Sequence, residues 1–431
     1  MELARDDDSS ESLKLSNLKK TPVSNLVLGM YVARLDKPWL ETAFKVQGFF
    51  LRSNQAIERV RETCDYVYVD PRRYDSSLVD SRKGSPAANK TSKKVPTKAA
   101  GKKRIMPAKP HVYADTRSFD EEVQSASPAL NNAMQEVERC LSRVEKGGQF
   151  DGESFQEAVK PVIKSVVRNQ DAVAALVRVR QFDQYLYSHS ISCAVWAALL
   201  GRELGFPPDQ LEEISLACSL MDLGKTKLPK SLLAKQAELS DDDVSFLREH
   251  VEIGLSLLSE GTFANNPHIE NVIKTHHERH NGSGYPNGLA SFDIPLFGRI
   301  AGLVDTYDAM ISERPYAPAT PSYQVLLDLE KNADVLFQKP LVDYFIKAVG
   351  IFPVGSVVEL NTGEVGIVTK QSEDQRLRPR VMLVLDENKL PRAESSVINL
   401  ASTDDSQVTT WITRELPKGV HNIDVEAYFL K

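Results

Sequence analysis

His276 and His277 stand side by side, followed at once by Glu278 and Arg279 and then by Asn281-Gly282-Ser283-Gly284-Tyr285-Pro286. Neighbouring residues on a helix point roughly 100° apart. Two adjacent imidazoles therefore serve one point only where a helix end is set tightly against a shared ligand, and a metal ion is the usual reason for such a pair. The run behind them is turn-forming: two glycines are free to take positive φ, and a proline stops any helix. The chain must fold so that a histidine-bearing helix end is closed by a rigid loop. That arrangement implies a metal site with a substrate wall beside it.

Further ligand types lie at wide spacing in the same region. His189 comes first, then Asp222 within Met221-Asp222-Leu223-Gly224-Lys225, then His250, and beyond the histidine pair Asp305 within Val304-Asp305-Thr306-Tyr307-Asp308-Ala309. Each sits in or at the end of a stretch with helical apolar spacing; after His189 the residues Ile191, Val195, Leu199 and Leu200 follow it. Packed helices can bring inward-facing His and Asp side chains to one centre. Mixed imidazole and carboxylate donors favour iron, manganese, zinc or nickel over calcium, which takes oxygen alone.

Taken in order from Tyr185 to Tyr316, these segments resemble the HD-GYP domain: His189, Asp222-Leu223-Gly224-Lys225, His250 with Gly254, His276-His277-Glu278-Arg279, Gly282-Ser283-Gly284-Tyr285-Pro286, and Asp305 through Arg314-Pro315-Tyr316. That family is a branch of the HD-type metal phosphohydrolases, and its members hydrolyse the bacterial second messenger cyclic di-GMP. The resemblance implies a helical HD-type bundle holding two divalent metal ions. His189, Asp222 and Asp305 would bind the first ion, and Asp222, His250, His276 and His277 the second. In the family a histidine precedes the aspartate; here that position is Met221. A neutral thioether is a poor ligand for a hard divalent ion, so the first site is expected to be weak or empty. Part of the family carries a glutamate for a third metal where this chain has Tyr185, so no third metal is expected. Asp222 would be the bridging, catalytic carboxylate. Lys225, one helical turn on, would neutralise developing charge or protonate the leaving oxygen. Arg314 would contact a phosphate or a guanine edge, and Tyr285 would stack on a base or pack under the loop.

The function expected from this resemblance is metal-dependent hydrolysis of cyclic di-GMP, with either the linear dinucleotide or GMP as the end product. One alternative is a module impaired by Met221 that binds cyclic di-GMP or a protein partner of the signalling pathway without turnover. Another is an HD-type hydrolase of some other nucleotide. A net charge of −6 argues against a general nucleic-acid binder. The four cysteines show neither metal spacing nor a disulfide framework, so a reducing cytoplasm is the expected home. The acidic, polar start from Met1 to Ser12 does not read as a signal peptide, and no apolar run approaches the roughly 20 residues that span a bilayer.

At 431 residues the chain should form several domains. The expected fold is multidomain and mainly α. Residues 1–22 form a flexible N-terminus and residues 23–74 a small α/β regulatory or dimerisation domain, with strands at Met30 to Leu35 and Tyr66 to Val69 around a helix from Gln55 to Thr63. Residues 75–112 make a basic, disordered linker: from Ser81 to Pro110 no acidic residue occurs. Residues 113–352 form the helical HD-GYP domain. Within it Val123, Leu130, Met134, Val137, Leu141 and Val144 mark an amphipathic helix ended by Gly147-Gly148. A further helix from Phe155 to Val177 offers an apolar side as core or as a homodimer seam. Residues 353–431 form a small C-terminal β module, read as a partial barrel, with a hairpin turn at Asn361-Thr362-Gly363-Glu364.

Overall fold

The computed structural model describes residues 18–37, 42, 44, 49–74, 105–180, 185–237, 239–259, 262–314, 318–372, 375, 377–401 and 410–429. They fall into two compact units, one holding the described residues up to Tyr74 with residues 372–378, the other holding the rest.

Among its described residues the first unit is a four-stranded antiparallel sheet with one α-helix. Its strands are β1 (Lys19–Pro22), β2 (Met30–Leu35), β3 (Phe49–Phe50) and β4 (Tyr66–Tyr74), in the order β1-β4-β2-β3. Helix α1 (Asn54–Thr63) starts at Ser53, whose hydroxyl accepts the Ala56 N–H. Its Ile57 and Val60 join Val32, Leu51 and Val67 in a small core. The expected flexible N-terminus is corrected here: residues 19–22 pair with β4, Lys19 opposite Val69 and Pro22 opposite Tyr66. Lys-Lys-Thr-Pro has no apolar alternation. Only its pairing partner makes it a strand, and lysine with proline suits an edge.

The second unit is helical, with a sheet at its C-terminal end. Its long helices are α2 (Phe119–Glu145), α3 (Gly152–Arg168), α4 (Gln170–Val179), α5 (Tyr185–Glu203) and α6 (Pro208–Leu220). There follow a 3-10 turn (Leu223–Lys227), α7 (Lys230–Leu233), α8 (Asp241–Arg248), α9 (His250–Ser259), α10 (Pro267–Thr275), α11 (Leu296–Ile311), α12 (Ser322–Lys331) and α13 (Lys339–Val349). Ser118 and Glu121 form a reciprocal capping box at the start of α2. Residues 189–202 of α5 are buried on every side, with Trp196 at its centre, so α5 is the spine of the bundle.

The single helix expected from Phe155 to Val177 is two helices. Asn169 ends α3, and its side-chain oxygen accepts the Ala172 N–H to start α4. The dimer seam expected on that stretch is also corrected: Phe155, Val159, Val162, Ile163 and Val166 are spent in the core. The linker expectation for residues 75–104 lies outside the described residues. From Ile105 onward the chain is docked, with Ile105, Met106 and Tyr113 against the core. The His111 N–H is bonded to Gly205 O, and Tyr113 Oη donates to Phe206 O.

The C-terminal module holds β5 (Val357–Leu360), β6 (Val365–Lys370), β7 (Arg380–Leu385), β8 (Pro391–Asn399) and β9 (Ile412–Glu415), with a short helix α14 (Val425–Phe429). Among the described residues it is an open five-stranded antiparallel sheet, ordered β8-β7-β6-β5-β9, rather than a barrel. The hairpin at Asn361 to Glu364 joins β5 and β6. No described helix is long and apolar enough to cross a membrane.

Candidate metal centre

Four elements converge on one point. Met221 closes α6, and Asp222 stands at the head of the 3-10 turn. His250 opens α9, His276 and His277 close α10, and Asp305 lies in the middle of α11. The close approach of the turn to α9 needs a glycine. A Cβ on Gly224 would lie 1.9 Å from the backbone oxygen of His250, so any side chain there would drive Asp222 away from His250.

Asp222, His250, His276 and His277 each offer a ligand atom, all within 4.8 Å of one another. His250 Nδ1 lies 2.6 Å from Leu247 O and His276 Nδ1 lies 2.9 Å from Ile273 O. A carbonyl oxygen only accepts, so both Nδ1 atoms carry the proton and donate it. Their Nε2 lone pairs then face each other at 3.3 Å. Burial pushes the His250 pKa down to about 4, so that ring is neutral and brings no proton to the contact. His277 is likewise held well below the usual value, first by burial and then by His276. Two further buried atoms, Asp222 Oδ1 and His277 Nε2, have no hydrogen-bond partner. Lone pairs turned inward and unpartnered buried acceptors are what a divalent cation satisfies. The Nδ1–H bonds to backbone carbonyls are the usual orienting partners of ligating histidines. The donor set fits a metal ion.

A second group comprises His189, Asp222 and Asp305. His189 Nε2 lies 3.1 Å from Asp305 Oδ1 and 3.5 Å from Asp222 Oδ2. Asp222 thus turns Oδ1 to one group and Oδ2 to the other. His189 Nδ1 donates to Asp308 Oδ2 at 2.7 Å, and Trp196 Nε1 donates to Asp308 Oδ1 at 2.8 Å. Burial works against charge on His189, but Cys193 and Tyr185, then the hydrogen bonds to Asp305 and Asp308, outweigh it and hold the pKa well above the usual value. Cys193 Sγ lies 3.7 Å from the His189 ring nitrogens, but burial pushes its thiol up to about 12 and keeps it protonated. Lys225 Nζ sits 2.6 Å from Asp222 Oδ2. Burial opposes its charge, and Asp222 foremost outweighs that, raising the Lys225 pKa. Burial would also raise Asp222, but Lys225, then His276, His250 and His189, keep it well below the carboxylate range. Met221 is buried in the apolar core.

Tyr285 stacks on His277, ring centroids 4.6 Å apart, and the Arg248 guanidinium lies 4.6 Å from the same ring. Tyr185 stacks on His189 at 5.2 Å. Arg314 is half-buried beyond the end of α11, while Pro315 and Tyr316 lie outside the described residues. Among the residues in this shell that went unassigned in the sequence are Asp308 and Glu278. Asp308 had a signal, since it follows Asp305 by one helical turn and shares its side of α11. Glu278 had none beyond its place after the histidines. Its buried carboxylate accepts the N–H groups of Asn287 at 2.8 Å and Leu289 at 2.9 Å.

The HD domain family matches residues 171–339, a domain of unknown function (DUF3391) residues 18–155, and a KOW domain associated with HD domain residues 357–415. Cyclic di-GMP phosphodiesterase PA4108 of Pseudomonas aeruginosa is 31% identical over 385 residues, 89% of each chain. This chain belongs to the HD-GYP family of phosphohydrolases. A second relative, the cyclic di-GMP phosphodiesterase of Thermotoga maritima, is 31% identical over 168 residues, 38% of this chain and 45% of that one. A solved structure, a HDG"Y"P protein from Bdellovibrio bacteriovorus, matches with 14% identity and a TM-score of 0.44, covering 76% of this chain and 98% of that one. As an HD-GYP protein the chain is a hydrolase of an HD domain family that binds divalent metals. Its departure from the family name is Met221, where the HD pair has its histidine.

Proposed function

We propose that this chain hydrolyses cyclic di-GMP to the linear dinucleotide, and onward to GMP, at a centre of two divalent metal ions. The observation that carries the reading is the facing pair of Nε2 lone pairs of His250 and His276 beside the unpartnered Asp222 Oδ1. The substrate is supported by the activity of PA4108, a relative aligned over 89% of both chains.

His250, His276, His277 and Asp222 would hold one ion, and His189, Asp305 and the other oxygen of Asp222 the second. Iron, manganese, zinc and nickel all suit these donors. Ions so held would supply Lewis acidity toward the phosphodiester and would lower the pKa of a water. The protein's own groups do the rest. Asp308 holds the His189 proton on Nδ1 and keeps Nε2 turned inward. Lys225, its pKa raised by Asp222, acts as a fixed positive charge beside the phosphate rather than as a proton donor. Tyr285 already carries His277 and Arg248 against its ring, so it serves as the wall that orients His277 rather than as a free platform for a base. Arg314 would take a phosphate or a guanine edge.

The test is direct. The full chain, loaded with Mn(II) or Fe(II), is incubated with cyclic di-GMP, and the linear dinucleotide and GMP are separated by chromatography. Turnover is expected, and Asp222→Ala and His276→Ala should abolish it; full rate in either variant would show the centre to be elsewhere. Other cyclic dinucleotides run in parallel decide whether a different nucleotide is the substrate. Met221 favours a second reading, a module that binds cyclic di-GMP or a protein partner without turnover. Binding without product in the native chain, with product appearing in Met221→His, would establish it.

A further inference from the structure

A buried polar chain runs from the C-terminal sheet to the metal centre. Glu415, at the end of β9, accepts three hydrogen bonds. Its Oε1 takes Arg178 Nη2 at 3.1 Å and Ser356 Oγ at 2.7 Å, and its Oε2 takes the Tyr323 backbone N–H at 2.7 Å. Arg178, on α4, reaches on to the hydroxyl of Tyr307 with Nη1 at 3.3 Å. That hydroxyl also shares a 2.6 Å bond with Ser322 Oγ at the start of α12. Tyr307 lies on α11 between Asp305 and Asp308, and its ring meets Trp196 edge to face at 5.3 Å. Trp196 in turn donates to Asp308, the residue that holds His189. Arg178 and Glu415 are each 9% exposed, and Tyr307 and Trp196 are fully buried.

An ion pair this deep is a poor way to gain stability. Removing both charges from water costs about as much as their attraction returns, and apolar packing of the same volume does as well. What hydrogen-bonded charges add is geometry. The Tyr307 hydroxyl, held by Arg178 and Ser322, limits rotation of α11 about its axis. A carboxylate lies roughly 5–6 Å from a helix axis, so a turn of about 10° moves it by about 1 Å. That is enough to break the 2.7 Å bond between Asp308 and His189. We propose that Glu415, acting through Arg178 and Tyr307, is a positioning residue for the metal centre, so that the C-terminal sheet is a working part of the hydrolytic unit. The inference rests on the metal centre proposed above.

The experiment uses the full chain and two conservative variants, Glu415→Gln and Tyr307→Phe. Mn(II) binding to metal-stripped protein is read from the EPR signal of the free ion, independently of turnover. Melting of the stripped proteins controls for folding, and kcat and KM for cyclic di-GMP are measured alongside. Loss of an outer partner of a metal site costs about 10- to 100-fold in affinity or activity. Both variants should therefore lose about tenfold in the weakest Mn(II) class or in kcat, with KM unchanged. The double variant should be no worse than either alone, because both cut one path. Variants that melt lower yet bind Mn(II) and turn over as the native chain does would reduce the network to a clamp and overturn the inference. If Glu415→Gln fails to fold, Tyr307→Phe alone decides by the same readings. A native chain that binds no Mn(II) would overturn the metal centre and this inference with it, whereas native binding with unaffected variants removes only the inference.

Discussion

Glu278→Gln is the sharpest test of how the loop after the histidine pair is closed. The native carboxylate is 4% exposed and accepts two backbone N–H groups, those of Asn287 and Leu289, one on each oxygen. These bonds bring the far side of the loop back onto the helix end. They also carry Tyr285 to His277, and the approach is so close that a Cβ on Gly284 would lie 2.5 Å from His277 O. Glutamine has the same shape but replaces one oxygen with an NH2 group. That group would meet a backbone N–H, donor against donor, and the remaining bond would lose its charge. A hydrogen bond to a charged group is worth about 1.5–3 kcal/mol, and an unsatisfied buried donor costs a similar amount. The closed loop should lose roughly 2–4 kcal/mol, about 30- to 1000-fold in its closing equilibrium. Hydrogen exchange followed by mass spectrometry reads this directly. Protection should collapse across residues 282–290 while the amides of α9 hold theirs. KM for cyclic di-GMP should rise with the loosened wall. Loop exchange within twofold of the native chain would show that Glu278 does not close the loop.

Two further predictions concern the centre itself. In Gly224→Ala the added methyl would stand 1.9 Å from His250 O and 2.6 Å from Gly254 N. Backbone must move, at a cost of about 1–3 kcal/mol or more, and Mn(II) binding should fall sharply; a variant with native melting and native Mn(II) affinity would disprove the tight approach of the turn to α9. The metal-free chain should also show a histidine-dependent acid limb. Burial lowers His250 from the ordinary 6.5 to about 4, so between those pH values the unfolded chain binds more protons than the folded one. Stability therefore rises with pH across that window, by about 3 kcal/mol from His250, and His277 adds in the same direction. His189 works oppositely: its pKa is raised, so its contribution is complete below 6.5 and is lost as pH climbs through its folded value. The stability difference between native chain and His250→Gln, from urea midpoints in chelator, should vary between pH 4 and 6.5, and a constant difference would remove the burial cost assigned to His250.

Much of this protein was readable along the chain because the relevant physics is local. Apolar spacing marks α2, the two glycines after Lys146 end it, and the glycine loop behind the histidines is written in its residue types. The ordered ligand series carried the family. The misreadings share one cause, which is that the deciding partner is distant in sequence. Lys19–Pro22 is a strand only because β4 lies beside it. Residues from Ile105 onward dock only because the α5–α6 corner offers Gly205 and Phe206. The apolar side of α3 is core rather than a dimer seam because other helices cover it. Asn169 is the instructive exception: its capping chemistry was local and legible, yet the apolar periodicity on either side masked it.

Residue types and their order determined which groups were available: four imidazoles and two carboxylates suited to a divalent ion, a methionine where a fifth imidazole would stand, and glycines where backbones must meet. The folded arrangement alone decided which atoms point inward. That His250 and His276 spend their Nδ1 protons on carbonyls, that Asp222 divides its two oxygens between two groups, and that Glu415 reaches Arg178 across 237 positions are set by how helices and sheet pack. Side-chain direction at a centre built from several elements depends on the relative rotation and separation of those elements, and no spacing along one chain encodes that.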